Sequence, residues 1–253
     1  MTGVLSIVGL GPGPDDWMTP EAVTALSAAS AVVGYKSYVD RLPRRDGQAR
    51  YASDNRVEIE RARQALDLAS HGANVAVVSG GDPGVFAMAA AVFEAVEAGE
   101  PQWRALDIRV LPGISAMQAA AARLGAPLGH DFCAISLSDN LKPWDVIVRR
   151  LDAAAQGDFV IALYNPASKA RPQRIYDAFE RLRALKSATT PVAFARAVGR
   201  ADERIIVTTL SEANVGVVDM STLVLIGSSE TRFIARGSGA PWMLTPLSYG
   251  AGR

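Results

Sequence analysis

The chain carries one cysteine, Cys133, and two histidines, His71 and His130. A lone thiol excludes an internal disulfide framework, and so few soft donors leave no structural metal to expect; a reducing cytoplasm suits this composition. An excess of charge of either sign is missing too, because 26 Lys and Arg balance 26 Asp and Glu. No net positive field therefore favours nucleic-acid phosphates, and no stacking aromatics accompany the local basic stretches, which argues against RNA. Apolar stretches such as 75–78 and 159–163 fall far short of the roughly 20 residues of a membrane helix. Met1-Thr2-Gly3 brings no basic region, and the apolar run behind it stops at Gly9, so no export signal is expected. A nucleophilic triad, a histidine pair at metal-ligand spacing and a convincing internal repeat are also missing.

What is there is hydrophobic material at 49% of 253 positions, enough for one large core or two small ones. Strand and helix periods alternate. Leu5 to Val8 reads as a strand, and Thr19-Pro20-Glu21 as the start of a helix capped by Thr19 with Pro20 at its first position. Strands follow at 31–33, 74–78 and 108–111, and helices at 57–71, 83–97 and 115–124, with 36–50 expected to be irregular. After Gly125-Ala126-Pro127-Leu128-Gly129 a second series begins: strands at 132–136, 159–164, 192–195, 205–209 and 223–226, and a helix over 173–185. The reading is two α/β domains, 1–126 and 127–253, with strands apolar enough to be covered by helices and a loose tail from Arg236.

Four strand exits carry the chemistry. Gly9-Leu10-Gly11-Pro12-Gly13-Pro14-Asp15-Asp16 leaves the first strand. A dinucleotide fingerprint would need a helix to start at once and an acid at the end of the second strand; both are missing, so a turn walling another ligand is favoured over a nicotinamide site. Ser79-Gly80-Gly81-Asp82-Pro83-Gly84 leaves a second strand, where Asp82 is expected to cap a helix begun by Pro83 and the glycines admit a ligand close to the backbone. Leu111-Pro112-Gly113-Ile114-Ser115-Ala116 repeats the pattern, with Ser115 available to the helix or to a carboxylate. Leu163-Tyr164-Asn165-Pro166 adds groups able to hydrogen-bond a purine or an amino acid. Each turn has a plain structural reading on its own; three glycine exits in one small sheet favour a site.

His71 reads as a helix end, Cys133 as core, and His130, followed by Asp131, as a junction residue that is either structural or a proton-transfer group. Basic residues gather at Arg41, Arg44, Arg45 and Arg50, and at Arg149, Arg150, Lys169, Arg171 and Arg174. The second set has few acids near it in sequence and suits an anionic small molecule as well as it suits a solvated surface.

Together the four turns resemble those of the tetrapyrrole (corrin/porphyrin) methylases, over nearly the whole chain. Val33-Gly34-Tyr35-Lys36-Ser37-Tyr38 and Ser136-Leu137-Ser138-Asp139-Asn140-Leu141-Lys142-Pro143-Trp144 are similar to the subgroup that methylates carbon 17 of precorrin-3B in cobalamin biosynthesis. The resemblance implies two α/β domains with the active site in the interdomain cleft, S-adenosyl-L-methionine as methyl donor, S-adenosyl-L-homocysteine as product, and a homodimer. By position it implies donor contacts at Pro12, Gly80, Gly81, Asp82, Val85, Ser115, Ala116, Tyr164, Asn165 and Ala193, and around Ala197 and Val198. The implied reaction couples methylation to ring contraction and needs a base for the hydroxyl at carbon 20. Asp15 and His130 are the candidates for it, with Asp16 beside them, while Lys36, Arg41 and Lys142 are candidate clamps for the carboxylates of the anionic tetrapyrrole. One cysteine cannot ligate the iron–sulfur cluster of some relatives, which points to metal-free precorrin-3B. Methylation of precorrin-2 at carbon 20 or of precorrin-4 at carbon 11 shares all the glycine turns and stays open, as do the fold-related RNA and diphthamide methylases and a non-catalytic binding protein.

Overall fold

The computed structural model describes residues 3–54, 57–168 and 170–250. The chain divides into two compact units, Met1–Ala116 and Met117–Arg253.

The first unit runs β1 (Val4–Gly9), α1 (Pro20–Ala28), β2 (Ala31–Tyr35), α2 (Lys36–Val39), β3 (Ala49–Ser53), α3 (Glu58–Ser70), β4 (Val75–Ser79), α4 (Met88–Ala98) and β5 (Asp107–Leu111). Its sheet is wholly parallel, in the order β3-β2-β4-β1-β5. Successive side chains on a strand point to opposite faces, and both faces are covered here. Leu5, Ile7, Val33, Val75 and Val77 pack with Ala62, Leu66 and Val92 of α3 and α4, whereas Val8, Val32, Ala76 and Val78 pack with Ala22 and Leu26 of α1 and Val39 of α2. Thr19 caps α1 as expected, its hydroxyl accepting the Ala22 amide at 3.1 Å.

The second unit contains α5 (Ala116–Leu124, the first residue belonging to the other unit), β6 (Gly125–Ala126), β7 (Phe132–Ser136), α6 (Trp144–Gln156), β8 (Val160–Tyr164), α7 (Arg174–Leu185), β9 (Pro191–Arg196), β10 (Arg204–Thr209), β11 (Thr222–Ile226), β12 (Arg232–Ile234) and β13 (Trp242–Leu244). The main sheet has the order β10-β9-β11-β8-β7 and is mixed: β7 lies parallel to β8, while β11 is antiparallel to both β8 and β9, so β7, β8 and β9 point the same way. Ile161, Leu163, Phe194 and Val224 pack against Ile147 and Leu151 of α6 and Ile175, Phe179 and Leu182 of α7.

Several expectations are corrected. The helix expected from Pro83 starts at Met88, because Phe86 takes a positive φ of 52° and residues 83–87 form turns. The segment 36–50 supplies α2 and the start of β3 instead of being irregular throughout. Helix α6 was not foreseen, although Ile147, Leu151, Ala154 and Ala155 bury one stripe at helical spacing. The loose tail is in part a strand: β13 pairs with β12 and with β6, Met243 is fully buried, and the Thr245 hydroxyl donates to the Pro127 carbonyl at 2.6 Å. This pairing ties Gly125 and Ala126 to strands of the second unit. Gly125 and Ala126, at the expected domain boundary, are ladder residues of the second unit's small sheet.

Candidate active site

Because β4, β1 and β5 are parallel neighbours, their carboxyl ends bring the three glycine turns side by side, where open α/β sheets bind ligands. Gly11 and Gly81 exchange backbone hydrogen bonds of 3.2 and 3.0 Å, joining the first turn to the second. Asp82 joins the second to the third: Oδ1 accepts the Gly84 amide at 2.8 Å and Oδ2 accepts the Gly113 amide at 3.0 Å. Its role is therefore to tie turns together, in place of the expected helix cap. The approach is close enough to require glycine. A Cβ on Gly113 would lie 2.4 Å from the Gly81 carbonyl oxygen, and one on Gly9 2.7 Å from the Gly113 nitrogen. Gly81 itself has φ of 71°, a left-handed conformation that favours glycine, and a Cβ built there would make only ordinary contacts, the nearest at 3.8 Å.

Pro12 and Ser115 are buried in these turns, and Gly80, Gly81, Asp82, Val85 and Ala116 are partly exposed along them. The seven residues expected to hold the donor from this half of the chain thus stand on one sheet edge. Asp15 and Asp16 follow at once, exposed on a single 3-10 turn, Asp15–Trp17.

In the second unit the carboxyl ends of β7, β8 and β9 share an edge. Tyr164 ends β8, and its hydroxyl accepts the Met117 amide at 3.1 Å. Asn165 follows in a left-handed conformation, φ 49°, with its amide donating to the Ser136 hydroxyl at 3.0 Å. Ala197, also at φ 49°, and Val198 leave β9 on the same edge, and Glu203 accepts the Gly199 amide behind them at 2.7 Å. Two non-glycine residues in this sparsely populated region mark a backbone held under strain. Ala193 lies within β9, fully buried, paired with Leu225 and Val207.

His130 stands elsewhere. It precedes β7, at the opposite end of the parallel pair β7 and β8 from Tyr164 and Asn165, a strand length of roughly 17 Å away. Its Nδ1 accepts the Asp131 amide at 2.8 Å, and its ring lies 5.8 Å from that of Tyr249, beside a cavity of about 50 Å³ lined by Asp158, Ser228 and Thr245. Asp158 at this end accepts from Ser229, Lys186 and Tyr249.

The basic candidates also sort. Lys36 is exposed and pairs with Asp40 at 3.2 Å, one turn on. Arg41 turns onto the first glycine turn, donating to the carbonyls of Leu10, Gly11 and Gly13. Lys142 is half-buried, and that burial, with the Arg150 cation, pulls its ammonium below the ordinary lysine value. Arg171 and Arg174, expected to have few acids near them, both meet Asp139, at 3.5 and 2.7 Å, and Arg174 stacks 4.5 Å from the Trp144 ring centroid. They hold the loop between β7 and α6 instead of standing open to an anion. Lys169 lies outside the described residues. Ser136, Gly9 and Gly113 were not singled out as site residues from the sequence. Only the glycine spacing pointed toward the last two.

A family model, Tetrapyrrole (Corrin/Porphyrin) Methylases, matches residues 4–214, which takes in every turn described above. The chain belongs to the tetrapyrrole methylase family. Among its relatives, a precorrin-3B C(17)-methyltransferase from Sinorhizobium sp is 56% identical over 98% of this chain and 98% of its own. A probable cobalt-factor III C(17)-methyltransferase from Salmonella typhimurium is 44% identical, over 97% and 99%. The crystal structure of the methyltransferase CobJ superposes with a TM-score of 0.93 at 49% identity, covering 97% of this chain and 100% of that one. The glycine turns of this tetrapyrrole methylase fit a methyl donor on structural grounds: Gly81 brings no side chain into the turn, and the polar side chains of Asp82 and Ser115 lie beside it. Among the described residues no group of three or more His, Cys, Asp or Glu is placed to hold a metal, and no helix is long and apolar enough to cross a membrane.

Proposed function

We propose that this chain is a precorrin-3B C17-methyltransferase, transferring a methyl group from S-adenosyl-L-methionine to carbon 17 of precorrin-3B with ring contraction to precorrin-4. The observation that carries the reading is full-length identity of 56% to a relative of that name, more than to the relative named for cobalt-factor III. The presence of one cysteine supports the metal-free substrate.

Bound S-adenosyl-L-methionine supplies an already activated methyl group. The chain's own residues hold and orient it: Pro12, Gly80, Gly81, Asp82, Val85, Ser115 and Ala116 from the first unit, and Tyr164, Asn165, Ala193, Ala197 and Val198 from the second. An active site in the interdomain cleft is part of this proposal, as are a homodimer and a cytoplasmic location, with no nucleic acid or membrane as partner. Good orientation supplies about 7–11 kcal/mol of a barrier, so the work of this protein is alignment more than acid–base chemistry. Asp15, exposed beside the first glycine turn, serves as base for the carbon-20 hydroxyl, and Lys142 meets a substrate carboxylate.

The test is anaerobic incubation of the purified protein with precorrin-3B and methyl-labelled S-adenosyl-L-methionine, followed by mass spectrometry and carbon NMR of the pigment. One new methyl at carbon 17 with a new acetyl group is expected. Unchanged precorrin-3B alongside turnover of cobalt-factor III would move the reading to the cobalt-bearing substrate. Methylation at carbon 20 of precorrin-2 or carbon 11 of precorrin-4 would overturn it.

A further inference from the structure

We infer that Tyr38 and Arg41, on α2 and just beyond it, are positioning residues that brace the two linked glycine turns from behind and do not hold the tetrapyrrole. The inference rests on the methyl-donor reading of those turns. It starts from the sequence of the first turn, Gly11-Pro12-Gly13-Pro14. A peptide bond to proline has a carbonyl and no N–H, so this turn is short of donors: the Gly11 carbonyl accepts the Gly81 amide from the next turn, and the Gly13 carbonyl needs a donor from elsewhere. Arg41 supplies it and adds to the others. Its Nη2 reaches the Gly13 carbonyl at 2.7 Å and the Leu10 carbonyl at 3.3 Å, and its Nη1 reaches the Gly11 carbonyl at 3.3 Å. Both protons of Nη2 are thereby committed to backbone.

Tyr38 acts on the second turn. A Cβ built on Gly80 would meet the Tyr38 ring, at 2.6 Å from Cε1, 2.7 Å from Cζ and 2.9 Å from the hydroxyl oxygen. The ring therefore lies flush against the Gly80 backbone, and Tyr35 props it edge-on at 5.5 Å between centroids. The exchange of hydrogen bonds between Gly11 and Gly81 couples the two braced turns into one unit. Tyr38 and Arg41, with Tyr35 behind the ring, are thus explained as a support for backbone geometry. The Arg41 charge is incidental to the substrate.

Arg41→Lys keeps the cation and loses the fork, so it separates a brace from a carboxylate clamp. The brace predicts that binding of S-adenosyl-L-homocysteine, measured by calorimetry, weakens at least tenfold in R41K, that the KM for the methyl donor rises likewise, and that the KM for the tetrapyrrole stays within twofold. Added guanidinium restores part of the affinity lost in R41A. Gly80→Ala weakens S-adenosyl-L-homocysteine binding through the clash, and the double variant with Tyr38→Ala recovers it. The inference is overturned if R41K binds S-adenosyl-L-homocysteine like the parent, or if the tetrapyrrole KM alone rises, or if the double variant is no better than G80A. Calorimetry needs no tetrapyrrole, so a failure of the precorrin-3B assay leaves these outcomes readable on their own.

Discussion

Asp82 and Gly113, in turns that follow different strands, are joined by a hydrogen bond of 3.0 Å from the glycine amide to the carboxylate. The other carboxylate oxygen holds Gly84. Asp82→Ala leaves both amides without their acceptor, a loss of about 1–3 kcal/mol for each that stays shielded from water. Asp82→Asn keeps one acceptor and turns an amide N–H toward the other donor. Urea denaturation is expected to rank stability as parent, then D82N, then D82A, with S-adenosyl-L-homocysteine affinity in the same order. Equal stability of D82A and the parent would remove the tie between turns.

Gly113→Ala sets a methyl group against the Gly81 carbonyl and the Gly9 backbone, none of which is a flexible side-chain end. Overpacking of this kind costs about 1–3 kcal/mol. The turns must also part, so S-adenosyl-L-homocysteine affinity is expected to fall more than tenfold. Gly237→Ala, with open space around it, is the control and should lie within about 0.5 kcal/mol of the parent. Isothermal calorimetry on both variants checks the contrast.

Asp158 binds Ser229, Lys186 and Tyr249, and its acidity follows from that crowd. Burial raises its pKa, but hydrogen bonds from Ser229 and the Lys186 ammonium outweigh burial and hold the carboxyl below its ordinary value. A carboxyl depressed in the folded state stabilises the fold above its unfolded value of about 4, and this stabilisation fades as pH falls through the folded value. The stability gap between parent and Asp158→Asn should therefore be full at pH 7 and shrink below about pH 4. Urea midpoints between pH 3 and 7 measure it; a gap independent of pH would contradict the charge-based account.

The two candidate bases make opposite predictions. His130 sits at the far end of β7 from Tyr164, so His130→Asn is expected to leave the methyl-transfer rate within about twofold. Loss of a general base typically slows a reaction by about 100-fold or more, which is the expectation for Asp15→Asn at saturating substrates. Single-turnover rates with precorrin-3B decide between them. A slow His130→Asn with an unimpaired Asp15→Asn would reverse the assignment.

Much of this was legible in the sequence because local rules and the fold agree. The Thr19 cap, the apolar strands and the glycines at strand exits are each readable from a few neighbouring residues. The turns were recognisable as a group, yet their mutual contacts were not: nothing local says that Asp82 meets Gly113 or that Arg41 faces Gly13. Charge misled for the same reason. Arg171 and Arg174 look open in sequence, and their acid, Asp139, lies more than thirty residues earlier. Strands β6, β12 and β13 were missed because two- and three-residue strands carry no period to read.

The small sheet of the second unit has a consequence for how the protein is made. Strand β6 is translated about 120 residues before its partner β13, so at roughly 5–20 residues per second it waits some 6–24 s on the ribosome. The first unit finishes earlier: its strand β1 also waits about 100 residues for β5, but the whole sheet is complete once β5 has emerged. Nascent chains are therefore expected to carry a folded first unit beside an unfinished second one, with Gly125 and Ala126 exposed to proteases until Met243 arrives.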